Sequence, residues 1–137
     1  MDVQRIIAID PGRVKCGLAV LDNAVVRWQG IVTSQDVVDC VKREYTEKSH
    51  IVVGDRTGSK DFIRELKKKF SHISGSIVLV DEHLSSVQAR ERYWQANPRR
   101  GWRRLIPVSL QVPPEPIDDI VAVILAERFL KDKTRSN

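Results

Sequence analysis

The sequence predicts an α/β fold built on one five-stranded mixed sheet, which begins as an antiparallel meander, continues by parallel crossovers and is flanked by helices. Three observations carry this. Apolar runs over residues 4–9, 16–21 and 25–32 are joined by short turns; strand-length and helix-period segments alternate over residues 34–95; and 137 residues, 42% of them hydrophobic, suit one core. A single domain over residues 1–137 is expected.

The first three runs are hydrophobic strands of a meander, the second turn carrying Asp22-Asn23, a pair favoured in tight hairpins. Ser34 is placed to cap a helix extending to about residue 48, with Asp36 in its first turn and Val37, Val38, Val41 and Tyr45 at core-facing spacing. Residues 50–54 (His-Ile-Val-Val-Gly) form a fourth strand, 59–70 a second helix and 76–80 a fifth strand ending at Asp81-Glu82. Ser85-Ser86-Val87-Gln88 matches a capping box, which predicts a third helix over 85–95. Residues 97–116 contain Pro98, Pro107, Pro113, Pro114 and Pro116 and have no clear period. A connection that long in a small domain is usually functional or disordered. Ile117, Ile120, Val121, Ile124, Leu125 and Phe129 then recur at helical spacing behind Pro116, which suits a first turn.

This order places acids together. If both crossovers are right-handed, strands one, four and five are parallel and their C-terminal ends lie on one side. Asp10, Asp55 and Asp81-Glu82 gather there, and the last helix brings Asp118 and Asp119 in its first turn. Converging carboxylates repel and raise one another's pKa values; a hard divalent cation, Mg2+ or Mn2+, removes that penalty. Two such ions hydrolyse a phosphodiester without a nucleophilic side chain. Plainer readings stand beside this one. Asp10-Pro11-Gly12 is also ordinary turn chemistry, and acids are favoured at any helix start. The three histidines are scattered over different elements and suggest no zinc site.

The net charge of +5 favours a polyanionic partner. Its best carrier is Arg99-Arg100-Gly101-Trp102-Arg103-Arg104, where guanidinium groups suit phosphates and Trp102 suits base stacking, with Trp94 extending the platform; the alternative is a solvated loop. Cys16 and Cys40 lie in apolar segments without metal-ligand spacing and read as reduced core residues. No apolar stretch approaches the roughly 20 residues of a membrane span, and no signal-peptide pattern precedes Ile6, so a cytoplasmic protein is expected.

Taken together, Ile9-Asp10-Pro11-Gly12, Lys15-Cys16-Gly17-Leu18-Ala19, Val53-Gly54, Val80-Asp81-Glu82-His83-Leu84-Ser85-Ser86 and Ile117-Asp118-Asp119-Ile120-Val121-Ala122 resemble the YqgF/RuvX family in order and spacing. The resemblance implies an RNase H-like fold and a bacterial nuclease that matures precursor small-subunit ribosomal RNA or resolves Holliday junctions, as monomer or homodimer. By position it places the catalytic, metal-holding acids on Asp10, Glu82 and Asp118, with Asp55 and Asp119 as further candidate ligands. Lys15, Ser85, Arg99, Arg100, Trp102, Arg103 and Arg104 are the expected nucleic-acid contacts. The family usually has Arg at positions 15 and 83, where this chain has Lys and His, and Leu-Pro after the fourth-strand glycine, where it has Asp55-Arg56. Lysine lacks the bidentate fork of arginine. A catalytically silent nucleic-acid-binding or ribosome-assembly factor of the same fold is the alternative, and an actin-like ATPase or sugar kinase ranks last because one domain cannot enclose a nucleotide.

Overall fold

A computed structural model describes residues 3–73, 77–107 and 111–135, the side chains of His72, Arg103 and Arg135 excepted. Strands β1 (Arg5–Asp10), β2 (Lys15–Asp22) and β3 (Val25–Thr33) form the expected meander. Helix α1 (Val37–Glu44) leads to β4 (Ser49–Gly54), and α2 (Ser59–Lys69) to β5 (Ile77–Val80). Helices α3 (Ser85–Ala96) and α4 (Asp118–Arg135) follow, with a short 3-10 turn at Gly101–Leu105 between them. The sheet order is β3-β2-β1-β4-β5, with β1 antiparallel to β2 and parallel to β4, and β4 parallel to β5. The mixed sheet is therefore as expected.

The β2–β3 turn works as its residues suggest. Asn23 and Ala24 both have positive φ (50° and 70°), the backbone of a type I′ hairpin, whose twist matches that of the flanking strands. The Asn23 amide N–H donates to the Gln4 carbonyl, and the Gln4 N–H donates back to Asn23 Oδ1, so the turn is tied to the start of β1.

Alternation along β1 divides the core between the two faces of the sheet. Ile6 and Ala8 face α4, packing with Val121, Ala122, Leu125 and Ala126. Ile7 and Ile9 face the opposite way, toward Val37 and Val41 of α1 and Leu66 of α2. Burial on both faces explains why β1 and β4 read as continuous apolar runs rather than alternating ones. At the N-terminal edge of β1, Arg5 pairs with Asp22 (Nε–Oδ1 2.7 Å) and reaches the Glu44 carbonyl (2.9 Å), linking β1, β2 and the end of α1.

Three helix starts differ from expectation. Ser34 is not a cap: its hydroxyl donates to the Gly12 carbonyl at 2.8 Å, and α1 begins later, after Asp36. The capping box at Ser85 does not form, because the helix is entered through Leu84 in the left-handed region (φ 60°) with no side-chain cap. Gln88 instead accepts a hydrogen bond from Arg128 of α4 at 3.0 Å. Pro116 precedes the first turn of α4, which opens with Ile117 accepting from the Val121 N–H. At Ser34 and Gln88 a tertiary partner took the group that local chemistry would have used.

Candidate active site

The C-terminal ends of β1, β4 and β5 lie side by side, as their parallel register requires. Asp10 ends β1, and the hairpin that follows it is fastened by the Ser34 hydroxyl on the Gly12 carbonyl. Its side chain is buried (2% exposed), although its oxygens belong to an ionisable group. Asp10 pairs across the sheet with Gly17 of β2. With no side chain at 17, the first turn of α4 settles directly on β2; a Cβ there would lie 1.9 Å from the Asp118 carbonyl oxygen. The same device operates on the other side. A Cβ on Gly54 would lie 1.9 Å from Glu82 Oε1, so the glycine ending β4 is a seat for the Glu82 carboxylate.

Asp55 continues that seat. Its N–H donates to the Val80 carbonyl and its Oδ1 accepts the Glu82 N–H at 3.0 Å, which fixes the turn from β5 into α3. Asp55 is therefore a positioning residue for Glu82, and its Oδ1 is engaged with backbone. Asp119 turns toward β3, where its Oδ2 accepts from Gln29 Nε2 at 2.9 Å, whereas Asp118 faces Lys15 (Nζ–Oδ2 3.6 Å).

Asp10, Glu82 and Asp118 share one electrostatic environment. Burial, only partly offset by the Arg56 guanidinium and reinforced by Glu82 and Asp118, pushes the Asp10 carboxyl up to about 7. Oδ1 of Asp10 and Oε1 of Glu82 are buried with no hydrogen-bond partner among the described residues. Orphaned carboxylate oxygens of this kind suit a hard divalent cation, so in kind the donor set fits Mg2+ or Mn2+. Among the described residues, however, no three potential ligands close around a common point. Cationic side chains stand among them instead. Arg56 approaches Asp10 (Nη2–Oδ1 3.3 Å, without hydrogen-bond geometry) and donates from Nε to Glu82 Oε2 at 3.0 Å, while Lys15 faces Asp118.

A mouth of about 300 Å³ opens beside the acids, lined by Asp10, Gly12, Lys15, Arg56 and Asp118 among others. Next to it, a cavity of about 540 Å³ is lined by Lys15, Ser86, Arg90 and Asp118 together with the 112–117 segment. Ser85 is buried (2% exposed) with its N–H on the Glu82 carbonyl, so the hydroxyl open to that cavity is Ser86 rather than Ser85. A buried serine offers nothing to a phosphate.

Of the basic loop, Trp102 is 67% exposed, and Arg100 and Arg104 are exposed. Arg99 is turned inward, donating to the Ile106 carbonyl. The side chain of Arg103 lies outside the described residues. Trp94 is largely buried against Tyr93 in an edge-to-face contact, and its remaining surface lines a cavity of about 450 Å³ with Arg99 and Arg104. The sequence reading missed two residues, Arg56 and Arg90. Arg56 stood visible beside Asp55 but only the sheet order brings it to Asp10, and Arg90 is signalled only by falling one turn beyond Ser86 on α3.

A sheet of this order and crossover pattern defines an RNase H-like fold. The fold matches that of T. thermophilus RuvC, solved in complex with a Holliday junction substrate, with a TM-score of 0.51 over 96% of this chain and 97% of that one at 11% identity. The resemblance to the YqgF/RuvX family holds along the sequence as well: two Bacteroides fragilis strains each carry a protein named "Putative pre-16S rRNA nuclease" that is 26% identical to this chain over 148 residues, spanning 96% of this chain and 99% of the relative. No protein-family model matches the chain.

Proposed function

We propose that this chain is a divalent-metal-dependent nuclease that hydrolyses phosphodiester bonds in structured nucleic acid, with precursor ribosomal RNA as the first substrate and branched DNA as the second. The observation that carries it is the electrostatic coupling of Asp10 to Glu82 and Asp118, with Asp10 and Asp118 lining one open mouth. The names of the curated relatives support the RNA substrate, and the junction bound by the RuvC neighbour supports the DNA one.

Asp10, Glu82 and Asp118 are the residues that would hold the cation, and a divalent ion bound there supplies the charge that activates water and stabilises the leaving oxygen. The remaining work falls to the chain's own side chains. Lys15 and Arg90 present cationic groups, and Ser86 a hydroxyl, to the cavity that adjoins Asp118, where phosphates flanking the scissile one would lie. Arg90 lines that cavity, and its Nε is buried with no hydrogen-bond partner among the described residues. Exposed Trp102 is suited to stack on an unpaired base, with Arg100 and Arg104 beside it for the backbone. Nucleic acid is thus the partner this surface is built for, and among the described residues no helix is long and apolar enough to cross a membrane.

The test is cleavage of end-labelled precursor small-subunit ribosomal RNA and of a four-way DNA junction, with Mg2+ or Mn2+ and with a chelator. A product from either substrate that disappears with chelator supports the nuclease and identifies its substrate. The ion pairs that Arg56 and Lys15 make with the acids favour a second reading, a binding or assembly factor without cleavage, and intact substrates that are nonetheless bound would establish that reading.

The phosphate role of the cavity has its own measurement. Replacing both Lys15 and Arg90 with Ala should reduce the slope of log K against log salt for RNA binding by about 1.4 to 1.8, since each phosphate contact contributes roughly 0.7 to 0.9. An unchanged slope removes the pair from the interface.

A further inference from the structure

Arg56 lies between two carboxylates that the proposed reaction needs for a cation. Its Nε bonds to Glu82 Oε2 at 3.0 Å, and its Nη2 stands 3.3 Å from Asp10 Oδ1. We infer that Arg56 is a tethered cation that occupies the Asp10–Glu82 pair in place of a divalent ion and must leave before one binds. This rests on the reading of Asp10 and Glu82 as cation-holding residues.

Several observations determine which partner moves. Asp10 is buried at the end of a central strand, and Glu82 is boxed by Gly54 beneath its carboxylate and by Asp55 on its backbone N–H. Neither acid has room to withdraw. The Arg56 side chain is 43% exposed and sits in the turn between β4 and α2. Arg56 also lines a second, larger cleft of about 840 Å³ on the α2 side, shared with Asp61 and Glu65. A displaced guanidinium therefore swings from the acid pair into an open cleft whose lining carries both signs, Asp61 and Glu65 beside Arg13 and Lys69.

Chemistry explains why the resident cation is an arginine. A guanidinium stays charged at every working pH and spans two carboxylates with separate N–H groups, which a lysine ammonium does less well. It satisfies one oxygen of Glu82 by hydrogen bonding, yet leaves Asp10 Oδ1 and Glu82 Oε1 without hydrogen bonds among the described residues. Arg56 thus screens the acid pair without ligating either of those oxygens. A small divalent ion would ligate where Arg56 only screens, so the two cations compete for one pair of acids.

The experiment is Mn2+ binding to the full, metal-free chain, read by the electron paramagnetic resonance of free Mn2+ in wild type, Arg56→Ala and Arg56→Gln. Both variants should bind Mn2+ at least tenfold more tightly than wild type. Without metal, Arg56→Ala should melt at a lower temperature than wild type, and saturating Mn2+ should raise its melting temperature by more than it raises that of wild type. If Arg56→Ala does not fold without metal, Arg56→Gln carries the comparison, since it keeps a donor for Glu82 and removes the charge. Equal or weaker Mn2+ binding in the variants, or none in any of the three proteins, overturns the inference. Tighter binding without cleavage of any nucleic acid would retain the competition and discard the nuclease; metal-dependent cleavage with unchanged Mn2+ affinity would do the reverse.

Discussion

Asp10→Asn is expected to abolish phosphodiester cleavage while making the metal-free protein more stable at pH 8. The two effects have one cause. Asp10 is a carboxyl held in a buried site beside two other acids, with its pKa pushed up to about 7. In the unfolded chain it titrates near the ordinary aspartate value of about 3.9. Between those values the folded protein holds a proton that the unfolded chain has released, so stability is greatest at the acid end of the window and falls as pH rises towards 7. Above 7 the full penalty is present, on the order of 4 kcal/mol for a shift of about three units. Asparagine occupies the same volume without charge, which removes the penalty and flattens the pH dependence between about 4 and 7. Chemical denaturation of both proteins at pH 5 and pH 8, without divalent ions, measures it. A variant with the same pH slope as wild type would show that the Asp10 carboxylate carries no strain, and an active variant would remove Asp10 from the chemistry.

Gly17→Ala should be the most disruptive single methyl group in the molecule. The added Cβ would stand 1.9 Å from the Asp118 carbonyl oxygen, 2.3 Å from its carbon and 3.0 Å from the Asp119 nitrogen. All three are backbone atoms in the first turn of α4, so no rotamer change relieves the contact. The helix start must lift from β2, although its following turns are pinned by Ala122, Leu125 and Ala126 in the core. A loss of about 3 kcal/mol is expected, at the upper end of the range for overpacking, and cleavage should fall by about a hundredfold because Asp118 is displaced from Asp10. Denaturant titration and single-turnover cleavage measure the two effects. Wild-type stability in this variant would mean that α4 is not seated where the fold places it.

Much of this arrangement is legible in the residues alone. The apolar runs ending at Asp10, Gly54 and Val80 give the parallel strands, and the helical spacing from Ile117 to Phe129 gives the covering helix, because burial on both faces of the sheet leaves strong periodic or continuous patterns. Convergence of Asp10, Glu82 and Asp118 then follows from strand order. What the pattern conceals is competition for polar groups. Ser34 and Ser85 have good capping chemistry, but one hydroxyl is taken by the Gly12 carbonyl and the other is buried where the chain enters α3 through Leu84 at positive φ. Trp94 sits beside a basic loop in sequence, yet it packs largely inward with Tyr93, while Trp102 of that loop is open to solvent. Arg56 was hidden for a different reason: its partners lie 46 and 26 residues away, and local sequence carries no trace of a charge pair closed only by the sheet.

The seating of α4 on glycine has a consequence for how the protein comes to exist on the ribosome. The helix contributes Val121 to Ala126 to one face of the core and also brings the third acid, so completion of the fold and assembly of the acid trio are one event. A nascent chain that has displayed Asp10 and Glu82 still lacks the residue that closes the group. On the proposed nuclease reading, a newly made chain would spare the RNA around it until the last helix has docked.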